Sequence, residues 1–318
     1  MPDPDMTRSS TARVTATAPS GATLATLLLI SVTAVWGSTF FLIRDLVAHV
    51  PSADFLAVRF LIAAVAMGAL FHRQVRALDR RQLRIGVVLG LLYGVAQLLQ
   101  TVGLEHTDAS VSGFITGMYV VLTPVIGAFL LRDRLPRSTW LAVGLATAGL
   151  AVLALRGVAV GTGEGLTLLA AGLYALHIIG LGRWSTASTA VGLATVQAVV
   201  IGLLCLVIAA PDGVTLPADG GQWLSLLYMA LIAGAVALWA QTWAQSHLTA
   251  TRAAIVMTLE PVFAALFAVL LGGESLTARM ALGGGLVLAG MYIAELGGRR
   301  SDVRADVDPP SEALHHEP

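Results

Sequence analysis

The chain has 318 residues, of which 56% are hydrophobic and only 12% charged, with a mean hydropathy of +0.81. Soluble domains carry about a quarter charged residues, so a water-soluble globular protein is excluded and a multi-spanning membrane protein is implied. All 19 basic residues are Arg and balance 19 acids, which gives no net attraction for nucleic acid. The single Cys205 sits in an apolar run and rules out an intramolecular disulfide or a thiol metal site.

Residues 1–22 are rich in Thr, Ser, Ala and Pro and lack an apolar core, which reads as a disordered cytoplasmic tail. An apolar run from Leu24 to Ile43 follows, long enough to cross about 30 Å of hydrocarbon and without a cleavage site behind it. Further runs are predicted as spans at 54–71, 84–104, 109–131, 138–156, 164–182, 190–210, 222–243, 251–271 and 277–296. Residues 299–318 read as a second disordered cytoplasmic tail.

The stretch from Gln100 to Gly149 returns 141 positions later, without a gap, as Gln241 to Gly290. Gln100-Thr101 falls on Gln241-Thr242, His106 on His247, Asp133 on Glu274, Gly144-Leu145 on Gly285-Leu286 and Ala148-Gly149 on Ala289-Gly290. Such matches mark a duplicated unit, with repeats at 24–156 and 164–296. Fifteen Arg residues fall in one set of connections and tails, against Arg44, Arg156 and Arg279 in the other. By the positive-inside rule both termini are cytoplasmic and the span number is even. Five spans per repeat make the second copy enter the membrane from the opposite side. The expected fold is therefore all-α, with ten transmembrane helices as two inverted five-helix repeats around a central cavity. Secondary transporters obtain two access states from such a plan.

Three stretches carry a further signal: "AVWGSTFFLIRDL" in the first span, "FLAVRFLIAA" in the second, and "MTLEPVFAALFAVLLGGESLTARMALGGGLVLAGMYI" across the last two. They resemble the EamA type of the drug/metabolite transporter superfamily over residues 24–296, most specifically in Leu259-Glu260-Pro261 and Gly273-Glu274. In the first copy Val120 stands where Pro261 would fall, Pro124 lies a turn further on, and Arg132-Asp133 replaces Gly273-Glu274. The resemblance implies helices around a central cavity and export of metabolites, amino acids or drugs, with a multi-pass location in the plasma (inner) membrane.

Polar side chains inside hydrocarbon are costly and become candidate functional groups. Glu260, beside the kink expected at Pro261, is a candidate proton or cation coupling residue or else a hydrogen-bonded structural group. Its counterpart Tyr119 shares a helix face with Thr116 and Thr123, with a second kink expected at Pro124. Gln97, Gln100 and Thr101 share a face of the third span, and Gln241 and Gln245 do so in the eighth. Tyr174 and His177 pair in the sixth; Trp36, Ser38, Thr39 and Trp239 are candidate cavity walls or packing residues. Arg59 is expected in a structural ion pair with Asp45 or Asp54, with a substrate-anion contact as the second reading. Gly144-xxx-Ala148 and Gly285-xxx-Ala289 are small-residue packing motifs. Glu274, near the outer end of the ninth span, is expected to matter less than Glu260 because water reaches it.

No phosphate-binding loop, zinc-protease helix or nucleophile elbow occurs, so no catalytic residue, cofactor or metal is expected. The partners implied are a small-molecule substrate and the lipid bilayer, with a homodimer left open. An integral-membrane enzyme acting on a lipid or polyprenyl substrate through Glu260 and His177 is the competing reading. The scattering of the acids over several helices favours the transporter.

Overall fold

A computed structural model describes residues 21–131, 137–156, 159–186, 188–237, 240, 241, 244 and 256–307. The described residues are helical almost throughout, because hydrocarbon leaves backbone groups no partner outside their own segment. The helices are α1 (Gly21–Val47), α2 (Ser52–Leu70), α3 (His72–Arg76), α4 (Arg80–Leu104), α5 (Ala109–Thr116), α6 (Tyr119–Leu131), α7 (Arg137–Ala154), α8 (Thr162–Trp184), α9 (Ala190–Ala209) and α10 (Gly220–Leu227). A π-helical stretch, Tyr228–Val236, continues α10, and α11 (Glu260–Leu270) and α12 (Ala278–Val307) follow among the described residues. The one β feature among the described residues is a two-residue antiparallel ladder, Leu155–Arg156 with Ala159–Val160.

Among the described residues six segments are long and apolar enough to cross a membrane, and four shorter apolar helices accompany them. The differences from the predicted spans have local causes. α4 starts at Arg80 rather than 84 because Asp79 and Gln82 form a reciprocal capping box. α12 runs to Val307, past the boundary where the sequence placed a tail. The residues from Arg299 onward include the helix formers Arg300, Arg304 and Ala305, which offer no stop signal.

Helix starts recur at the spacing found in the sequence: Gly21 and Thr162, Tyr119 and Glu260, Arg137 and Ala278 each lie 141 apart. Positions 141 apart also meet in space. On the α2–α9 contact, a Cβ at Gly202 would lie 2.9 Å from the side chain of Leu61. On the α7–α12 contact, a Cβ at Gly149 would meet the Gly283 carbonyl at 2.6 Å and Val287, while one at Gly290 would meet the Ala142 carbonyl at 2.8 Å and Ala146. The two glycines thus make the same contact reciprocally, and rising numbers on α7 face falling numbers on α12, so the helices run antiparallel. The packing motif lies elsewhere than expected. Gly144 and Gly285 have open space where a Cβ would go, because they sit on the opposite side of their helices from Gly149 and Gly290.

Candidate functional site

The fourth predicted span is two helices. α5 ends at Thr116, Gly117 and Met118 form a turn, and α6 begins at Tyr119. In the second copy Thr258 and Leu259 form the turn and α11 begins at Glu260. Even the tight hydrogen bond in the turn recurs: Met118 N donates to Ile115 O at 3.0 Å, and Leu259 N to Val256 O at 3.1 Å. Pro261 therefore stands in the first turn of a new helix, where its missing N–H costs nothing, and does not kink a continuous one. Pro124 lies inside α6, past the break.

The two residues that follow the breaks meet. Glu260 is hydrogen-bonded to the Tyr119 side chain, and both are partly accessible rather than fully buried. Around them a chain of hydrogen bonds links three helices. Gln97 Nε2 donates to the Tyr174 hydroxyl at 2.7 Å, that hydroxyl donates to Gln100 Oε1 at 2.8 Å, and Gln100 Nε2 donates to Thr116 Oγ1 at 2.8 Å. The last bond has its copy in Gln241 Nε2 to Met257 Sδ at 3.6 Å, since Met257 stands 141 residues after Thr116. Tyr93, which the sequence reading passed over, sits at the centre. Its ring lies 5.4 Å from that of Tyr174 and 4.9 Å from that of His177. Its position one turn before Gln97 on α4 was the available signal.

Several expected members stand apart from this cluster. Thr123 Oγ1 donates to the Tyr119 carbonyl of its own helix at 2.7 Å, and the break puts Thr116 on a different helix, so the three residues form no common polar stripe. His177 Nε2 bonds Gln197 Oε1 at 2.6 Å, while Glu260 bonds Tyr119, so these two do not form an acid–base pair. Trp36 Nε1 donates to Ala233 O at 2.8 Å, Ser38 Oγ meets the Tyr228 hydroxyl at 2.8 Å, and Thr39 Oγ1 donates to Trp36 O. The first two tie α1 to the π-helical stretch, and the third stays within α1. Trp239 and Gln245 lie outside the described residues.

Arg59 forms no ion pair with Asp45 or Asp54. Asp54 Oδ2 accepts from Thr215 N at 2.7 Å, and the Arg59 guanidinium lies 5.8 Å from the Phe55 ring centre and 5.2 Å from that of Phe60. Among the described residues the ion pairs belong to Arg44, with Asp108 and Glu274, each at 2.8 Å.

Glu274 is far from the water-washed group that the sequence suggested. Its side chain is 7% exposed, because Gly273, at φ +71°, turns the chain back toward α5. There the carboxylate accepts from Arg44 Nη1, from Ala109 N at 2.6 Å, and from the N–H and hydroxyl of Ser110. It occupies the N-terminus of α5, where unpaired N–H groups and the helix dipole favour an anion. This network borders a cavity of about 920 Å³ whose lining includes Phe41, Asp45, Val111, Glu164 and Arg279. The central Tyr–Gln cluster is not among its lining residues.

The EamA-like transporter family matches twice, at residues 23–155 and 161–296. The chain belongs to that family. A protein of Archaeoglobus fulgidus, named an uncharacterized transporter, is 31% identical over 272 residues, 86% of each chain. A crystal structure of a further protein superposes with a TM-score of 0.61 at 19% identity, covering 90% of this chain and 100% of that one. The likeness to that structure shows the fold alone. The protein is thus a multi-pass membrane transporter by family.

Proposed function

We propose that the protein is a secondary transporter, an exporter of a small metabolite, amino acid or drug, working by alternating access between two inverted five-helix repeats, 24–156 and 164–296. The observation that carries this reading is the meeting of Tyr119 and Glu260, equivalent residues placed directly after equivalent helix breaks. Two copies of one position touch only where a two-fold axis passes between them. Leu61 with Gly202, and Gly149 with Gly290 through their reciprocal contacts, support the same axis at two further levels. The antiparallel run of α7 against α12 supports its lying in the membrane plane.

Broken helices at corresponding positions of two repeats are where transporters bind substrate and coupling ion at mid-depth. Gln97, Gln100, Thr116, Tyr119, Tyr174 and Gln241 are then the polar wall, and Glu260 the proton- or cation-coupling group. Its carboxylate, held by Tyr119, can exchange that hydroxyl for a substrate or a proton. The Arg44–Glu274–Asp108 network closes the outer end over the break, with the Arg-rich connections and both termini on the cytoplasmic side of the plasma membrane.

The test is efflux from proteoliposomes loaded with a panel of small metabolites, amino acids and drugs, at imposed and collapsed proton gradients. Saturable, gradient-dependent loss of at least one compound is expected, and Glu260→Gln should retain exchange of that compound but lose the dependence on the gradient. Transport by Glu260→Gln with unchanged gradient dependence would remove Glu260 from the coupling role.

A further inference from the structure

Arg59 stands two turns into α2, and its residue is only 9% exposed. A cation buried in the hydrophobic span normally has a carboxylate or carbonyl partner, because its desolvation is otherwise uncompensated. Here the guanidinium rests on the rings of Phe55 and Phe60. No carboxylate lies within ion-pair distance of it among the described residues. The acids on or against α2 and the cluster are committed elsewhere: Asp54 to the Thr215 N–H, Glu105 to the Ser52 hydroxyl and Glu260 to Tyr119.

What Arg59 does border is the central cluster. Phe60, on whose ring the guanidinium rests, packs edge-on against Tyr93 with ring centres 6.5 Å apart. The Tyr93 hydroxyl accepts a long bond from Gln97 Nε2, at 3.4 Å, and donates to no described residue. Beside it Gln97, 7% exposed, has its Oε1 buried without a hydrogen-bond partner. An uncommitted cation, an uncommitted O–H and an unpartnered buried carbonyl converge on one place, and buried polar atoms are as a rule satisfied.

We propose that Arg59 is the anion-recognition residue of the transport site, receiving the carboxylate of a small substrate with the Tyr93 hydroxyl as second donor. The fork of a guanidinium matches a carboxylate in two parallel N–H···O bonds. The Gln97 carbonyl takes an N–H or O–H that the substrate carries next to its carboxylate. Such a substrate supplies the counter-charge that α2 lacks, so binding is favoured by relief of a buried charge as well as by the hydrogen bonds themselves. This inference rests on the reading of the cluster as the substrate site.

The experiment uses the full chain in lipid nanodiscs and reads the thermal midpoint with lactate, a carboxylate with an adjacent hydroxyl, against its neutral amide lactamide and against sulfate at matched ionic strength. Lactate should raise the midpoint saturably, since a ligand at 100 times its Kd shifts the folded-to-unfolded ratio about 100-fold, and lactamide and sulfate should not. Arg59→Met, which keeps the packing on Phe55 and Phe60, should abolish the lactate effect while its ligand-free midpoint equals or exceeds that of the wild type. Arg59→Lys, which keeps the charge but not the fork, should fold and show a reduced response. Four results would overturn the proposal: no lactate effect, an equal effect of lactamide or sulfate, a lactate effect that survives in Arg59→Met, or an Arg59→Met protein that is strongly destabilised or unfolded without ligand. Because binding is read without transport, lactate bound through Arg59 in a protein that moves nothing would count against the transporter reading alone.

Discussion

Replacing Glu274 by Gln should destabilise the protein more than its place near the end of a span suggests. The carboxylate gathers four donors, Arg44 Nη1, Ala109 N, Ser110 N and Ser110 Oγ, in a side chain 7% exposed. Hydrogen bonds to a charged group contribute about 1.5–3 kcal/mol when buried. The Arg44 arm is discounted to about 1 kcal/mol or less because that side chain is 38% exposed. In Gln one oxygen becomes an NH2, which cannot accept and would face the Ser110 donors, so two bonds and the interaction with the α5 terminus are lost. The sum is about 3 kcal/mol. For a chain of this size that lowers the thermal midpoint by about 6 °C.

Asp108→Asn is the control, because Asp108 reaches only Arg44 and is 56% exposed; it should cost under about 1 kcal/mol. Thermal unfolding in nanodiscs measures both. A Glu274→Gln midpoint within about 1 °C of the wild type, or an equal loss in Asp108→Asn, would refute the reasoning.

Other substitutions follow from the same contacts. Gly149→Leu and Gly290→Leu should each push α7 and α12 apart and cost about 1–3 kcal/mol or more by overpacking, whereas Gly144→Ala and Gly285→Ala should leave the thermal midpoint unchanged or higher. Gln100→Leu leaves the Tyr174 hydroxyl and Thr116 without their partner, at about 1–2 kcal/mol, while Gln241→Leu, which loses only a bond to sulfur, should cost less than about 0.6 kcal/mol in the same unfolding measurement. A reporter active only in the cytoplasm should work when fused after Arg76 or Arg300 and fail after Thr107 or Asp212; activity after both of the latter would contradict the cytoplasmic placement of the termini.

The duplication was readable because it is carried by residue identity: Gln100 and Gln241, or Gly149 and Gly290, keep their types as well as their spacing. The membrane character followed from composition alone, and the family from short motifs in both halves. The helix breaks were not legible. In one copy the break falls at Gly117 and Met118 with no proline at hand, and in the other Pro261 signals a kink but in fact opens a helix. Only their equal register, visible in the structure, shows that they are the same feature. Spacing along a helix also misled at Thr123, whose hydroxyl returns to its own backbone. The partners of charged groups depend on how distant segments fold back. Nothing in the order of residues shows that Gly273 aims Glu274 at Ala109, some 165 positions away, or that Arg59 meets rings rather than acids.

The central claim is that the site at Tyr119 and Glu260 opens alternately to the two sides of the membrane. A single thiol placed at Tyr119, in a chain with Cys205→Ser, can be tested with a membrane-impermeant cationic thiol reagent on right-side-out and inside-out vesicles. Modification from both sides is expected. In addition, a thiol pair placed at Arg44 and Glu274 and bridged by a bifunctional thiol cross-linker across the outer network should abolish modification from outside while leaving that from inside. Modification from one side only in the unlocked protein, or from outside as readily after locking as before, would contradict it.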